Sequence, residues 1–179
     1  MKKPIHLLLL SRLFCKEHIM ITQEQKNELW SIIEKIKVGM LMTHDGQEYR
    51  SRPMHIVQES FDGSLWFFTD KSSSKVYETQ KDKKVCVSFG DRDKNRYVSL
   101  SGSVSISTDN QLKKKFWNPL VGAWFEGDYS SPDVALIEIK VSKAELWETD
   151  KNKLSQLYEL TKAAVSDDTP DIGHNRKYG

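Results

Sequence analysis

The sequence predicts a mainly β domain with flanking helices, in which six antiparallel strands close into a small barrel. Three observations carry this expectation. The chain holds six extended runs rich in β-branched and aromatic residues. Tight-turn signals, Asp45-Gly46 and Asp62-Gly63, separate the first three of them. The connections are mostly too short for parallel crossovers, so pairing is antiparallel, and closure removes the exposed edges of such a sheet.

The elements follow in order. Thr22-Gln23-Glu24-Gln25 fits a capping box, and Leu29, Ile32, Ile33 and Ile36 recur at helical spacing, so a helix is expected over 22–37, stopped by Gly39. Strands are expected over 40–43 and 48–58, with the turn His44-Asp45-Gly46-Gln47 between them, and over 65–69 after the turn at Phe61-Asp62-Gly63. The polar loop from Asp70 has helix-start chemistry and leads into a short helix through Gln80. Val85 to Phe89 and the alternating run Tyr97 to Ile106 give the fourth and fifth strands. Residues 109–125 read as helical or irregular, broken by Pro119 and Gly122. Val134 to Trp147 gives the sixth strand and Lys153 to Val165 a closing helix. The domain thus spans 20–165, and residues 166–179 are a polar, mobile tail.

A chain of 179 residues with 38% hydrophobic and 29% charged residues has enough apolar content for one core and too little for a multi-span membrane protein. Two cysteines exclude a disulfide scaffold and a thiolate zinc site, and Cys86 is expected to be a free, buried thiol. The net charge of +2 speaks against a nucleic-acid partner. It is also uneven. Residues 1–19 hold Lys2, Lys3, Arg12 and Lys16 against Glu17, a local +3 that leaves the rest near −1. Their apolar stretch, Leu7 to Leu10, is interrupted by Arg12 and Lys16 and has no small-residue cleavage site. They are read as an upstream extension, ahead of an ordered helix or a targeting segment, and the chain is expected to be cytoplasmic, with no membrane partner.

Two segments combine charge and geometry in a way that suits an anion. In Arg50-Ser51-Arg52-Pro53-Met54-His55 the arginines share one strand face, and their planar forks match a phosphate. Pro53 removes a ladder donor and places the segment at an edge or beside a ligand. Ser72-Ser73-Ser74-Lys75 enters a helix, where N–H groups, hydroxyls and a lysine converge. Each segment also has a plainer reading, a solvated strand face and an ordinary cap. Trp117 and Trp124 would share a helix face if their segment were helical, as core residues or as a lid over a flat ring. The five histidines are not spaced for a metal, and no Gly-x-Ser-x-Gly elbow supports a hydrolase.

Arg52-Pro53-Met54, Trp66-Phe67-Phe68-Thr69, Ser73-Ser74-Lys75, Arg96 to Gly102, Trp124-Phe125 and Ser131 to Ile137 occur in an order that resembles the pyridoxamine 5′-phosphate oxidase-like flavoproteins, general stress branch. The likeness runs from Thr22 to Val165. It implies a split β-barrel homodimer with FMN at the subunit interface, acting as an oxidoreductase on a small-molecule redox substrate or a nicotinamide cofactor. It implies cofactor contacts from Ser51, Arg52, Pro53, Met54, Phe68, Thr69, Ser74 and Lys75, with Trp117 and Trp124 as lid candidates. The oxidases carry an arginine at position 74 and an Arg-Leu-His-Asp-Arg type segment after the late tryptophan. This chain has Ser74, and Glu148-Thr149-Asp150-Lys151-Asn152 after Trp147, so vitamin B6 oxidation is not implied. A non-catalytic flavin sensor, or a relative using heme or a deazaflavin, are the competing functions.

Overall fold

The computed structural model describes residues 21–149 and 173–179. The extension expected over 1–19 and the helix expected over 153–165 lie outside the described residues.

Helix α1 (Gln23–Ile36) starts at the expected capping box. The Gln25 N–H donates to Thr22 Oγ1 at 3.3 Å and the Thr22 N–H to Gln25 Oε1 at 2.9 Å, so two helix-end donors are satisfied reciprocally. Leu29, Ile32 and Ile33 form its buried stripe. The helix does not end at Gly39. Lys37, at φ 61°, makes the turn and donates its N–H to the Ile33 carbonyl at 2.9 Å. Gly39 already belongs to strand β1 (Val38–His44). There a Cβ would stand 2.7 Å from Phe89 and Val87 side-chain carbons, so the glycine permits close packing and does not stop the helix.

The remaining strands are β2 (Tyr49–His55), β3 (Ser64–Asp70), β4 (Lys84–Asp91), β5 (Arg96–Ser107), β6 (Val134–Glu148) and β7 (His174–Tyr178). Among the described residues all pairings are antiparallel, and the six expected strands run in the order β2-β1-β4-β5-β6-β3. The two ends of this path meet where the Val57 N–H donates to the Trp66 carbonyl at 3.1 Å. That contact draws the sheet into a barrel with a seam between β2 and β3. The β5–β6 register shifts at Ser101/Gly102, a bulge where a Cβ on Gly102 would collide with the Lys140 carbonyl.

A seventh strand was not expected. His174–Tyr178, read from the sequence as part of a mobile tail, pair with Ala144–Glu148 of β6. β3 pairs with Val134 to Lys140, so β3 and β7 follow each other along β6. Tyr178 is buried, and its apolar ring joins the main core, which the polar residues around it conceal in the sequence.

The barrel core contains Leu41, Leu65, Phe67, Val87, Leu100, Ile137, Ile139 and Leu146, with Leu29 and Ile33 of α1 closing one end. A second cluster forms outside, where Phe68, Val134, Leu136 and Val121 pack with Trp66, Phe116, Trp117 and Phe125. β3 therefore buries both faces, Leu65 and Phe67 in one cluster, Phe68 with Trp66 against it in the other. The unbroken run Leu-Trp-Phe-Phe follows from this two-sided burial. The second cluster anchors helix α3 (Asn110–Phe116) and the single turn α4 (Pro119–Gly122). No helix among the described residues is long and apolar enough to cross a membrane.

Candidate functional site

Helix α2 (Ser74–Lys81) begins just after β3 ends. Asp70 organises the turn between them: its carboxylate accepts from the Ser72 N–H at 2.7 Å and the Ser72 hydroxyl at 2.6 Å. These bonds hold its carboxyl below the usual range. On the other side, the Lys71 N–H donates to the Asp133 carbonyl at 2.8 Å. Ser73 stands at the N-cap position but makes no capping bond with its side chain. Its hydroxyl instead lies 3.0 Å from that of Thr69. The first turn of α2 is thus left without a side-chain acceptor, a ready partner for an anion.

This helix start opens on a cleft of about 550 Å³. Val38, Met54, Val57, Phe68, Val121 and Phe125 give it apolar walls, and Pro53 and His55 contribute from β2. Thr69, Asp70 and Lys75 supply its polar end. Lys75 is half-buried, and desolvation together with the neighbouring Arg52 charge lowers its ammonium pKa, against Asp70 and Glu78. An incoming anion would oppose that shift. Leu120 and Trp124, 77% and 85% exposed, form an apolar lip. The His55 ring nitrogen Nδ1 lies 2.7 Å from the Ile56 carbonyl, so Nδ1 carries the proton and donates.

Of the residues singled out in the sequence, Pro53, Met54, Phe68, Thr69, Lys75 and Trp124 line this cleft. Four stand elsewhere. Ser51 lies on the exposed face of β2, and Ser74 is exposed at the first position of α2. Trp117 is packed edge-on against Phe68 at 5.3 Å and beside Phe125 at 6.0 Å, so it supports the wall from behind. It shares no helix face with Trp124, because α3 ends at Phe116 with Trp117 as its C-cap, and Asn118 caps a separate turn by accepting from the Val121 N–H at 3.0 Å. Asn118 and Leu120 at the cleft mouth went unnoticed; the Asn-Pro pair was their signal, a helix N-cap followed by proline at N1.

Arg52 is committed to a partner. Its guanidinium donates to Glu78 Oε2 at 2.7 Å and to Thr43 Oγ1 at 2.6 Å, and the Thr43 hydroxyl donates to the same Glu78 oxygen at 2.5 Å. The Glu78 side chain is 4% exposed. Burial opposes its ionisation, but the Thr43 hydroxyl and Arg52 outweigh burial and hold its pKa below the ordinary value. Arg50, expected on the same face, is exposed and lies 3.7 Å from Asp45 across the hairpin turn. Cys86 is free and only half-buried, with Sγ 3.3 Å from the Ser99 hydroxyl, because strand alternation puts Val85 and Val87 inside instead.

The family model described as pyridoxamine 5′-phosphate oxidase like matches residues 24–171. The protein bli-3 of Neurospora crassa is 27% identical over 151 residues, covering 78% of this chain and 72% of that protein. Among solved structures, a general stress protein 26 of Jannaschia is 29% identical, with TM-score 0.64 over 87% of this chain and 98% of its own. A general stress FMN/FAD binding protein of Xanthomonas citri is 26% identical, with TM-score 0.65 over 73% and 93%. The seam-closed antiparallel barrel, the cleft beside α2 and this match over most of the sequence agree: the chain belongs to the pyridoxamine 5′-phosphate oxidase-like family.

Proposed function

We infer that the protein binds FMN in the cleft and uses it as an oxidoreductase. The observation that carries this reading is one cavity with two chemistries: long apolar walls suited to a flat ring, ending at Lys75 and the uncapped start of α2. A flavin mononucleotide has that same division, a planar apolar head and a terminal phosphate of nearly two negative charges. Thr69 and Ser73 add hydroxyls at the phosphate end. The description of the Xanthomonas citri relative as an FMN/FAD binding protein supports flavin as the ligand class. FMN is favoured over FAD because the cleft offers one end with a lysine, and the sequence has no dinucleotide fingerprint for an adenylate half.

When bound, the flavin supplies hydride and electron transfer, to or from a small redox substrate or a nicotinamide cofactor. The chain's own residues do the rest. Pro53, Met54 and Phe68 hold the ring, and Lys75 holds the phosphate. The lip formed by Leu120 and Trp124 limits water.

The same reading includes a second copy of the chain. Val38, Met40 and Met42 alternate on the outer face of β1 at 44%, 41% and 40% exposure, and Val38 also lines the cleft. An apolar stripe running into an open ligand site is the surface a homodimer would cover.

The test is direct. The purified protein should be yellow, or become so with added FMN, and the released ligand should have the mass of FMN. Reduction of the bound flavin by NADH or NADPH, followed at the flavin absorption band, tests turnover. Protein that stays colourless and takes up no flavin would overturn this function.

A further inference from the structure

We propose that Glu78 is a built-in competitor of the ligand phosphate: it holds the Arg52 guanidinium away from the cleft and so sets how strongly the site discriminates phosphorylated from neutral ligands. This rests on the flavin reading given above and deepens it.

The grip is three-sided. Arg52 donates from one terminal nitrogen to Thr43 Oγ1 at 2.6 Å and from the other to Glu78 Oε2 at 2.7 Å, while Thr43 donates to Glu78. Thr43 is 1% exposed and Glu78 3% exposed, so water does not dilute these contacts. The three residues come from three elements, β1, β2 and α2, which fixes the arrangement in space. Lys75, one turn before Glu78 on α2, feels both the Arg52 and the Glu78 charge, yet of the two cations Lys75 lines the cleft and Arg52 does not.

The charge balance follows. Two cations adjoin the polar end of the cleft: the buried Glu78 neutralises Arg52, while the Asp70 carboxylate, which lines the same end, offsets part of the Lys75 charge. A ligand phosphate must compete with Glu78 for Arg52, so part of the attraction is withheld until that carboxylate loses its charge. Discrimination between FMN and riboflavin, which lacks the phosphate, measures this directly.

Glu78→Gln preserves shape and an acceptor for Arg52 but removes the charge. Titration of apoprotein should show FMN binding tightened about three- to tenfold, the effect of one charge in a half-buried site, and riboflavin binding unchanged. Thr43→Val, which removes one hold on Arg52 and keeps the Glu78 carboxyl in place, should move FMN in the same direction by less. In Arg52→Ala/Glu78→Gln, which has no guanidinium left to free, the tightening seen in Glu78→Gln should be lost. Inorganic phosphate provides an arm that needs no flavin: it should raise the melting temperature of Glu78→Gln more than that of wild type. A phosphate effect without flavin uptake would sink only the flavin reading. Equal weakening of FMN and riboflavin by Glu78→Gln would make Glu78 a folding residue. Selective weakening of FMN would mean that Glu78 presents Arg52 to the ligand. Either result overturns the proposal.

Discussion

The phenol of Tyr178 donates a 2.6 Å hydrogen bond to the carboxylate of Glu28, joining β7 to α1. Arg176 adds ion pairs at 2.8 Å to Glu28 and to Glu148 of β6. α1, β6 and β7 are thereby tied at one corner.

This corner has an alkaline signature. Burial, and then the bond to Glu28, push the Tyr178 pKa up to about 12. A raised pKa means the bond contributes fully below the unfolded value near 10, and that contribution is lost as pH rises towards 12. Tyr178→Phe should cost about 1 kcal/mol at neutral pH. The gap between wild type and variant should shrink above about pH 10. Urea unfolding at pH 7 and pH 11 measures both; a gap that stays constant would contradict the assignment.

Lys113 is 2% exposed, and its ammonium donates to the carbonyls of Ser131 at 3.0 Å and Val134 at 3.1 Å. It fastens α3 to the segment whose Asp133 carbonyl accepts from Lys71. Lys113→Met keeps the stem and removes the ammonium from both carbonyls, of which that of Ser131 still accepts from the Val134 N–H at 3.3 Å. The expected loss is about 1–3 kcal/mol, read from thermal unfolding. Weaker FMN uptake should accompany it, since the turn ahead of α2 loses its support.

Lys75→Ala should weaken FMN by roughly tenfold or more, the worth of a charge-assisted hydrogen bond. Riboflavin should be nearly indifferent, and Lys75→Met should match Lys75→Ala if charge and not the stem is what counts. Arg52→Ala differs in kind. It leaves Glu78 buried without its cation, so its main effect is a stability loss of about 1–3 kcal/mol. Parallel titrations with the two flavins and a melting curve separate the two residues.

Met40→Asp with Met42→Asp places two charges on the outer face of β1, where neither side chain supports the barrel core. Wild type is expected to elute as a dimer and the double variant as a monomer, by light scattering coupled to gel filtration. A wild-type monomer that holds flavin would refute the second copy.

Alternation and turn chemistry made the barrel legible. Asp45 accepts from the Gln47 and Glu48 N–H groups at 2.9 Å, as an Asp-Gly hairpin turn requires, and the six expected strands are all present. Most of the cleft was legible too, because Pro53-Met54, Phe68-Thr69 and Lys75 sit at the ends of elements that the topology brings together. What failed was long-range. Gly39 reads as a helix stop until Phe89 and Val87 are seen against it. Arg52 reads as a free cation because its anionic partner lies 26 positions away on another element. β7 reads as a tail because four of its five residues are exposed and polar, and only Tyr178 faces inward.

The division of β6 between two neighbours has a consequence for biosynthesis. Its first half is matched by β3, which emerges from the ribosome earlier, but Ala144–Glu148 must wait for residues 174–178. Until then a nascent or prematurely terminated chain displays an open strand edge beside the unsealed Leu146 core, the template on which chains stick to one another. Quality-control factors that survey exposed edges would therefore meet this protein in the interval before β7 is made, and a stop codon before Gly173 should yield aggregate and not merely a shortened domain.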